Sequence, residues 1–139
     1  MIIAIDFDGT IVDDNYPNIG AEVPFAIDYI KKWQESNDII LLTMREGKEL
    51  EEAKLFISDR GVKLFCSNNN LNKWANSRKI FANLYIDNAS FGCPLIMLPD
   101  FRCPCANWAI IGPITSKIIR IHNKTNDINK ARFIGSIVK

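Results

Sequence analysis

Two aspartates, Asp6 and Asp8, stand two residues apart in the opening stretch Met-Ile-Ile-Ala-Ile-Asp-Phe-Asp-Gly-Thr. Ile2 to Ile5 form a short apolar run that reads as a strand buried on both faces, as in a parallel sheet. Strand alternation then turns Asp6 and Asp8 to one side of the chain and Phe7 to the other. Gly9 relaxes the backbone where the strand ends and bends. Paired carboxylates at the end of a strand can hold a hard divalent cation, and open α/β sheets bind their ligands beyond the carboxyl ends of strands. Asp-x-Asp-Gly is also turn and calcium-loop vocabulary. A calcium loop wants a glutamate twelfth in line, where a count from Asp6 gives Pro17.

The elements that must position such a site follow in alternation. Ile11 to Gly20 is rich in turn formers and reads as a loop or flap over the end of the first strand. A helix from Pro24 to about Ser36 has Phe25, Ala26, Tyr29, Ile30 and Trp33 inside. Ile39 to Leu42 is a second buried strand, ending at Thr43, and an amphipathic helix around Leu50 to Ile57 is closed by Gly61. Val62–Cys66 reads as a third strand and Leu71 to Ala75 as a short turn or helix. Ile80 to Ile86 leads into a fourth strand ending at Asp87, and Pro94 to Leu98 gives a fifth. This alternation predicts an α/β fold with a central parallel sheet and right-handed crossovers. The length favours one domain over residues 1–139, with a core to about 112 and a helical extension or tail from 113.

A parallel sheet brings Asp6, Asp8, Thr43 and Asp87 to one edge. Together they offer oxygen ligands and a hydroxyl donor, and Lys79 can supply the positive charge that an acid cluster needs to bind a phosphate. Taken singly these residues have ordinary readings. Thr43 is a cap or turn residue, Lys79 a solvated surface residue, and Asp87-Asn88 an Asx turn.

In this order and placement, Asp6-Phe-Asp-Gly-Thr10, Thr43, Lys79 and Asp87 resemble the four motifs of the haloacid-dehalogenase (HAD) superfamily, over roughly residues 1 to 100. The resemblance implies a HAD-like, Rossmann-type three-layer sandwich and a magnesium-dependent phosphatase. It makes Asp6 the nucleophile, forming an aspartyl phosphate, and Asp8 the general acid and base. It gives Thr43 and Lys79 to the phosphoryl group. Mg2+ would lie on Asp6, the main-chain carbonyl of Asp8, Asp87 and, in place of a second acid, Asn88. Gly9 and Arg45 are further substrate contacts, Arg45 as a second anion ligand or else a surface arginine in a turn. Only 32 residues separate Thr10 from Thr43 and 35 separate Thr43 from Lys79, too few for a cap domain. Thr43-Met-Arg-Glu-Gly47, Asn68, Trp108 and the short length are similar to a small capless subgroup found in bacteria and phages. The phosphorylated substrate is a small molecule, a nucleotide or a nucleic-acid end. The rival is a HAD-fold binding or regulatory protein with little or no turnover.

The totals narrow the setting. The chain is 47% hydrophobic and 24% charged, which belongs with globular proteins, and its formal net charge of +1 makes no global case for nucleic acid or a membrane. No apolar run reaches spanning length, and a cytoplasmic protein is expected. From Pro113 onward six basic residues face one acid, Asp127. That stretch reads as a solvated amphipathic helix and tail, with an anion-binding patch as the alternative. Cys93, Cys103 and Cys105, with Cys66 or His122, could make a zinc site, but the spacing matches no familiar knuckle and buried free cysteine is the ordinary reading. His122, on an apolar helical face, reads as packed.

Overall fold

The structure, a computed structural model, describes residues 1–70 and 76–136. Four parallel strands form its centre in the order β3-β2-β1-β4: β1 (Ile2–Ile5), β2 (Asp38–Leu41), β3 (Cys66–Ser67) and β4 (Leu84–Ile86). β1 lies between β2, in the register Ile2 to Asp38 through Ile5 to Leu41, and β4, with Ile3 beside Leu84 and Ile5 beside Ile86. The strand placed first in the chain is therefore central, and its exit carries the two aspartates to the middle of the sheet edge.

One face of the sheet holds most of the core. Ile3, Ile5, Ile39 and Leu41 pack there with α1 (Ala26–Trp33), α2 (Gly47–Ser58) and α3 (Trp108–Thr125). The opposite face carries a smaller cluster of Ala4, Ile40 and Ala82, with Ile2, Leu42, Cys66 and Ile80 against it. The result is an α/β, Rossmann-like sandwich, and no cap domain is present among the described residues. No described helix is long and apolar enough to cross a membrane.

Several elements differ from the sequence expectation. The helix expected from Pro24 begins at Ala26, because Phe25 takes a left-handed backbone (φ 71) and stays exposed; Ile27 takes its place inside. The third strand is only Cys66–Ser67, with Val62 buried but outside the ladder. The expected fifth strand does not join the parallel sheet. Its centre, β5 (Leu95–Ile96), pairs antiparallel with β6 (Cys105–Ala106) in a separate two-stranded sheet. The turn or helix expected at Leu71 to Ala75 lies outside the described residues.

The C-terminal third is also more ordered in plan than expected. Gly112-Pro113 does not break the chain, and α3 runs through it as one helix of 18 residues. A proline inside a helix costs about 3 kcal/mol. Here Pro113 is on the exposed side, while Trp108, Ile111, Thr115, Ile118 and Ile119 are buried, each such aliphatic or aromatic side chain stabilising by about 1.5–3 kcal/mol. Gly112 is the close approach: a Cβ there would lie 2.1 Å from the Tyr29 ring. A core boundary at residue 112 thus falls inside a helix and is not a boundary. The expected tail is α4 (Ile128–Ser136), which returns onto α3, with Gly135 against Ile118. Arg132 donates from Nε and Nη2 to the Asn83 carbonyl just ahead of β4.

Candidate active site

The motif loop at the end of β1 is fixed by its own backbone. The amides of Thr10, Ile11 and Val12 all lie within bonding distance of the Phe7 carbonyl, and Gly9 N–H donates to Val12 O at 2.7 Å. Gly9 has φ +74, and a Cβ at that position would come 2.2 Å from Asn88 Nδ2. A side chain there would displace the β4 loop, so glycine is required twice over, by conformation and by contact. With its N–H bonded to Val12, Gly9 has no amide to offer a substrate. Its expected substrate contact is corrected to a packing role.

Thr10 stitches β1 to β4. Its buried hydroxyl donates to Asp6 Oδ2 (3.0 Å) and accepts from the Asn88 amide (3.0 Å). The Thr10 carbonyl accepts from Trp108 Nε1 at 2.7 Å, and the Gly9 carbonyl from Ala106 N at 2.8 Å. Asp6 N–H donates to Ile86 O (2.9 Å), and Asp87 Oδ1 accepts from Ala89 N–H (2.7 Å), an Asx-type turn. The turn and the site are the same residues.

Asp6, Asp8, Thr43, Arg45, Asp87 and Asn88 come together in a cleft of about 350 Å3, joined by Asp14 and Tyr16 of the flap and by Met44 and Ala89. Burial is the main cause of a carboxyl pushed up to about 7 at Asp6; the charges of Asp87 and Asp8 add to it, and the Phe7 amide and Thr10 hydroxyl oppose it. Asp8 is held quite differently. Its two oxygens accept from Arg45 Nε (2.7 Å) and Nη2 (2.6 Å) in a bidentate pair. Arg45 is 1% exposed and also donates to the carbonyls of Pro17 (3.0 Å) and Asn18 (2.7 Å). Its guanidinium lies between the rings of Phe7 (5.0 Å) and Tyr16 (5.3 Å). Its hydrogen bonds to the Asp8 carboxylate hold the guanidinium still more firmly protonated than usual. Four of its five N–H groups are taken within the protein, so the expected anion contact at Arg45 is replaced by an internal one.

Thr43 stands at the cleft with its hydroxyl accepting from the Arg45 amide (3.2 Å) and its amide donating to Asn68 Oδ1 (2.8 Å). Lys79 is the residue that the structure does not bring in. It is exposed and does not line the cleft; its carbonyl accepts from Asn70 Nδ2, which together with the Asn70 Oδ1 bond from Phe81 N–H fixes the main chain of that segment. Asp14, Tyr16 and the support from Asn70 had no signal in the sequence beyond a loop composition. Asn68 and Trp108 stood out only through resemblance, and their partners explain why they are there.

The cleft is lined by four carboxylates, Asp6, Asp8, Asp14 and Asp87, against one guanidinium. Only Asp6 and Asp87 of the expected metal set offer a carboxylate to an ion, since Asp8 is spent on Arg45; Asn88 adds an amide oxygen. Among the described residues no three His, Cys, Asp or Glu side chains converge on a common metal position. For zinc, Cys66 Sγ donates to Asn69 O and Cys105 Sγ to Ile96 O, Cys103 is exposed, and the cysteines assemble no site. For magnesium the fit is better: it is content with one or two carboxylates and keeps several waters. His122 lies on α3 with a shielded Nδ1 that has no hydrogen-bond partner among the described residues, and it does not line the cleft. A larger, mostly apolar hollow of about 470 Å3 lies on the other side of Asp87, between β4 and α3.

No family model matches the chain, and no curated protein does. Among solved structures, one described as that of a conserved protein from Bacteroides thetaiotaomicron shares 36% sequence identity with it. The match covers 84% of this chain and 89% of the other, with a TM-score of 0.69. At that identity and coverage, this chain belongs to the same family as the conserved Bacteroides protein.

Proposed function

We propose that the chain is a magnesium-dependent phosphohydrolase of the HAD type, acting on a phosphate monoester through an aspartyl phosphate on Asp6. The observation that carries this reading is the contrast between two neighbouring acids. Asp6 sits half-shielded in the cleft with a hydroxyl partner and, among the described residues, no ion pair, while Asp8, two residues on, is aimed and held by an arginine. Attack and proton transfer need two carboxyl groups in different surroundings. The order of motifs, and the placement of Thr43 and Asp87 at the same edge, support the same reading.

In this mechanism a carboxylate oxygen of Asp6 forms a bond to phosphorus as the bond from phosphorus to the leaving oxygen breaks. Asp8, which in the resting pair accepts from Arg45 at both oxygens, must release one of them and take up a proton from solvent; that proton then passes to the leaving oxygen and releases an alcohol. Water then attacks the aspartyl phosphate, its proton returns to Asp8, and inorganic phosphate leaves with Asp6 restored. Thr43 positions the phosphoryl oxygens. Asp6, Asp87, Asn88 and the Asp8 carbonyl would hold the Mg2+, which offsets charge between the acids and an incoming phosphate dianion. With Lys79 outside the cleft, that offset rests chiefly on the ion.

The test is hydrolysis of 4-nitrophenyl phosphate with and without Mg2+, beside Asp6→Asn. Turnover that requires Mg2+ and falls at least about a thousandfold in Asp6→Asn is expected for loss of a covalent nucleophile; undiminished turnover in the mutant would sink the mechanism. The absence of Lys79 from the cleft favours a second reading, a phosphate- or metal-binding protein without turnover. Mg2+ binding by calorimetry with no hydrolysis across a panel of phosphate esters would establish it instead.

A further inference from the structure

Arg45 is a buried cation at a cleft of acids, and the proposed chemistry assigns it no step. Its four side-chain hydrogen bonds among the described residues divide evenly. Two go to the Asp8 carboxylate and two to main-chain carbonyls of the flap, Pro17 and Asn18. Tyr16 of the flap covers one side of the guanidinium and Phe7 of the motif loop the other. The flap is otherwise pinned at its base, where Asp13 N–H donates to Ala21 O and Val23 N–H to Ile11 O. Arg45 itself is set from outside the flap: Thr43 Oγ1 accepts from its amide and Asn68 Nδ2 approaches its carbonyl.

We infer that Arg45 is a positioning residue, a latch that makes the tip of the flap and the carboxylate of Asp8 one mechanical unit. The planar fork fixes both oxygens of Asp8 at once, which a point charge could not do. The other edge of the same plane grips the flap, so the direction in which Asp8 points depends on whether the flap is down. This rests on the phosphohydrolase reading for its catalytic consequence, but the latch itself does not. An arginine that bound the substrate phosphate would instead leave its fork open to the cleft, and here the fork is closed inward.

Two measurements test it. The first is amide hydrogen exchange across residues 14–20 in wild type, Asp8→Asn and Arg45→Lys. Both substitutions should speed exchange at the flap although neither residue lies in it; unchanged flap exchange in both would overturn the latch. The second compares 4-nitrophenyl phosphate, whose leaving group needs little protonation, with an alkyl phosphate, whose leaving group needs much. Arg45→Lys should lose roughly tenfold more kcat on the alkyl ester than on the aryl one, part of the roughly hundredfold or more that a well-placed general acid contributes. Asp8→Asn should show the same bias, and the double variant should add little to it. Equal losses on the two esters, or a rise in KM alone, would make Arg45 a substrate ligand or a purely structural residue and overturn the positioning role. Arg45→Lys that fails to fold is replaced by Asp8→Asn with flap exchange alone, which reads the same latch from its other end. A wild type that hydrolyses neither ester defeats the phosphohydrolase reading, and the exchange experiment still decides the latch.

Discussion

Asp6 is a carboxyl group whose surroundings favour its proton, and in metal-free protein that has a measurable effect on stability. Its folded value of about 7 lies above the ordinary 3.8. The folded state therefore holds the proton more tightly than the unfolded chain between those values. The resulting stability is fully present below about pH 4 and is lost as pH rises through about 7. Thermal melts of metal-free protein should show Asp6→Asn gaining on wild type over that interval, by at most about 4 kcal/mol at about 1.4 kcal/mol per pKa unit. Added Mg2+ should raise the melting temperature of wild type more at pH 7.5 than at pH 5, and should do little for Asp6→Asn. A pH-independent difference between the two proteins would show that burial is not what sets Asp6. At this scale the sequence was generous with Asp6, Asp8 and Asp87, because strand alternation and the end of an apolar run fix where they point. It was misleading for Lys79, Gly9 and Arg45, whose roles depend on which partner lies opposite in space.

At the level of elements, α3 does more than cover the sheet. Trp33 and Trp108 pack at 5.6 Å, Trp33 Nε1 donates to Ser116 Oγ, and Trp108 reaches the carbonyl of Thr10 from the far end of the chain. Trp108→Phe keeps the apolar packing and removes that donor. A buried carbonyl left without its partner costs about 1–3 kcal/mol, and chemical denaturation should read a loss in that range. The proposed hydrolysis should fall as well, because the same loop carries Asp6; a loss of stability with undiminished kcat would separate the two. Strands β1, β2 and β4 and the first two helices were legible from periodicity with shifts of a few residues at their ends. The long helix was not, because Gly112-Pro113 is a local signal to stop. It is outweighed by tertiary contacts that run to Tyr29, Trp33 and Thr10, none of them near in sequence.

Across the whole molecule, a parallel sheet and gaps too short for a cap domain followed from the alternation and the spacing of the motifs, while the strand order with β1 inside came only with the structure. The last thirty residues did not, since a basic, weakly patterned stretch looks the same whether it is solvated or packed. Arg132 shows the difference: a charge counted toward an anion-binding patch is bonded to the main chain at Asn83. Ending the chain after Thr125 should therefore act on stability. Uncovering Ile118 and removing buried Ala131 should cost about 2 kcal/mol or more on the scale of one aliphatic side chain, measured as a shift in the urea midpoint. An unchanged midpoint would return α4 to the status of an appendage.

The bonds that close the motif loop span most of the chain: Trp108 to Thr10 crosses 98 residues, and Arg102 N–H to the Asp13 carboxylate crosses 89. During synthesis Asp6 and Asp8 are therefore made well before Trp108 and Arg102, the groups that pin their loop. The motif loop is thus finished long after its acids are made, and a polypeptide stalled near residue 100 would contain every acid of the cleft without the clamp that turns them into a site.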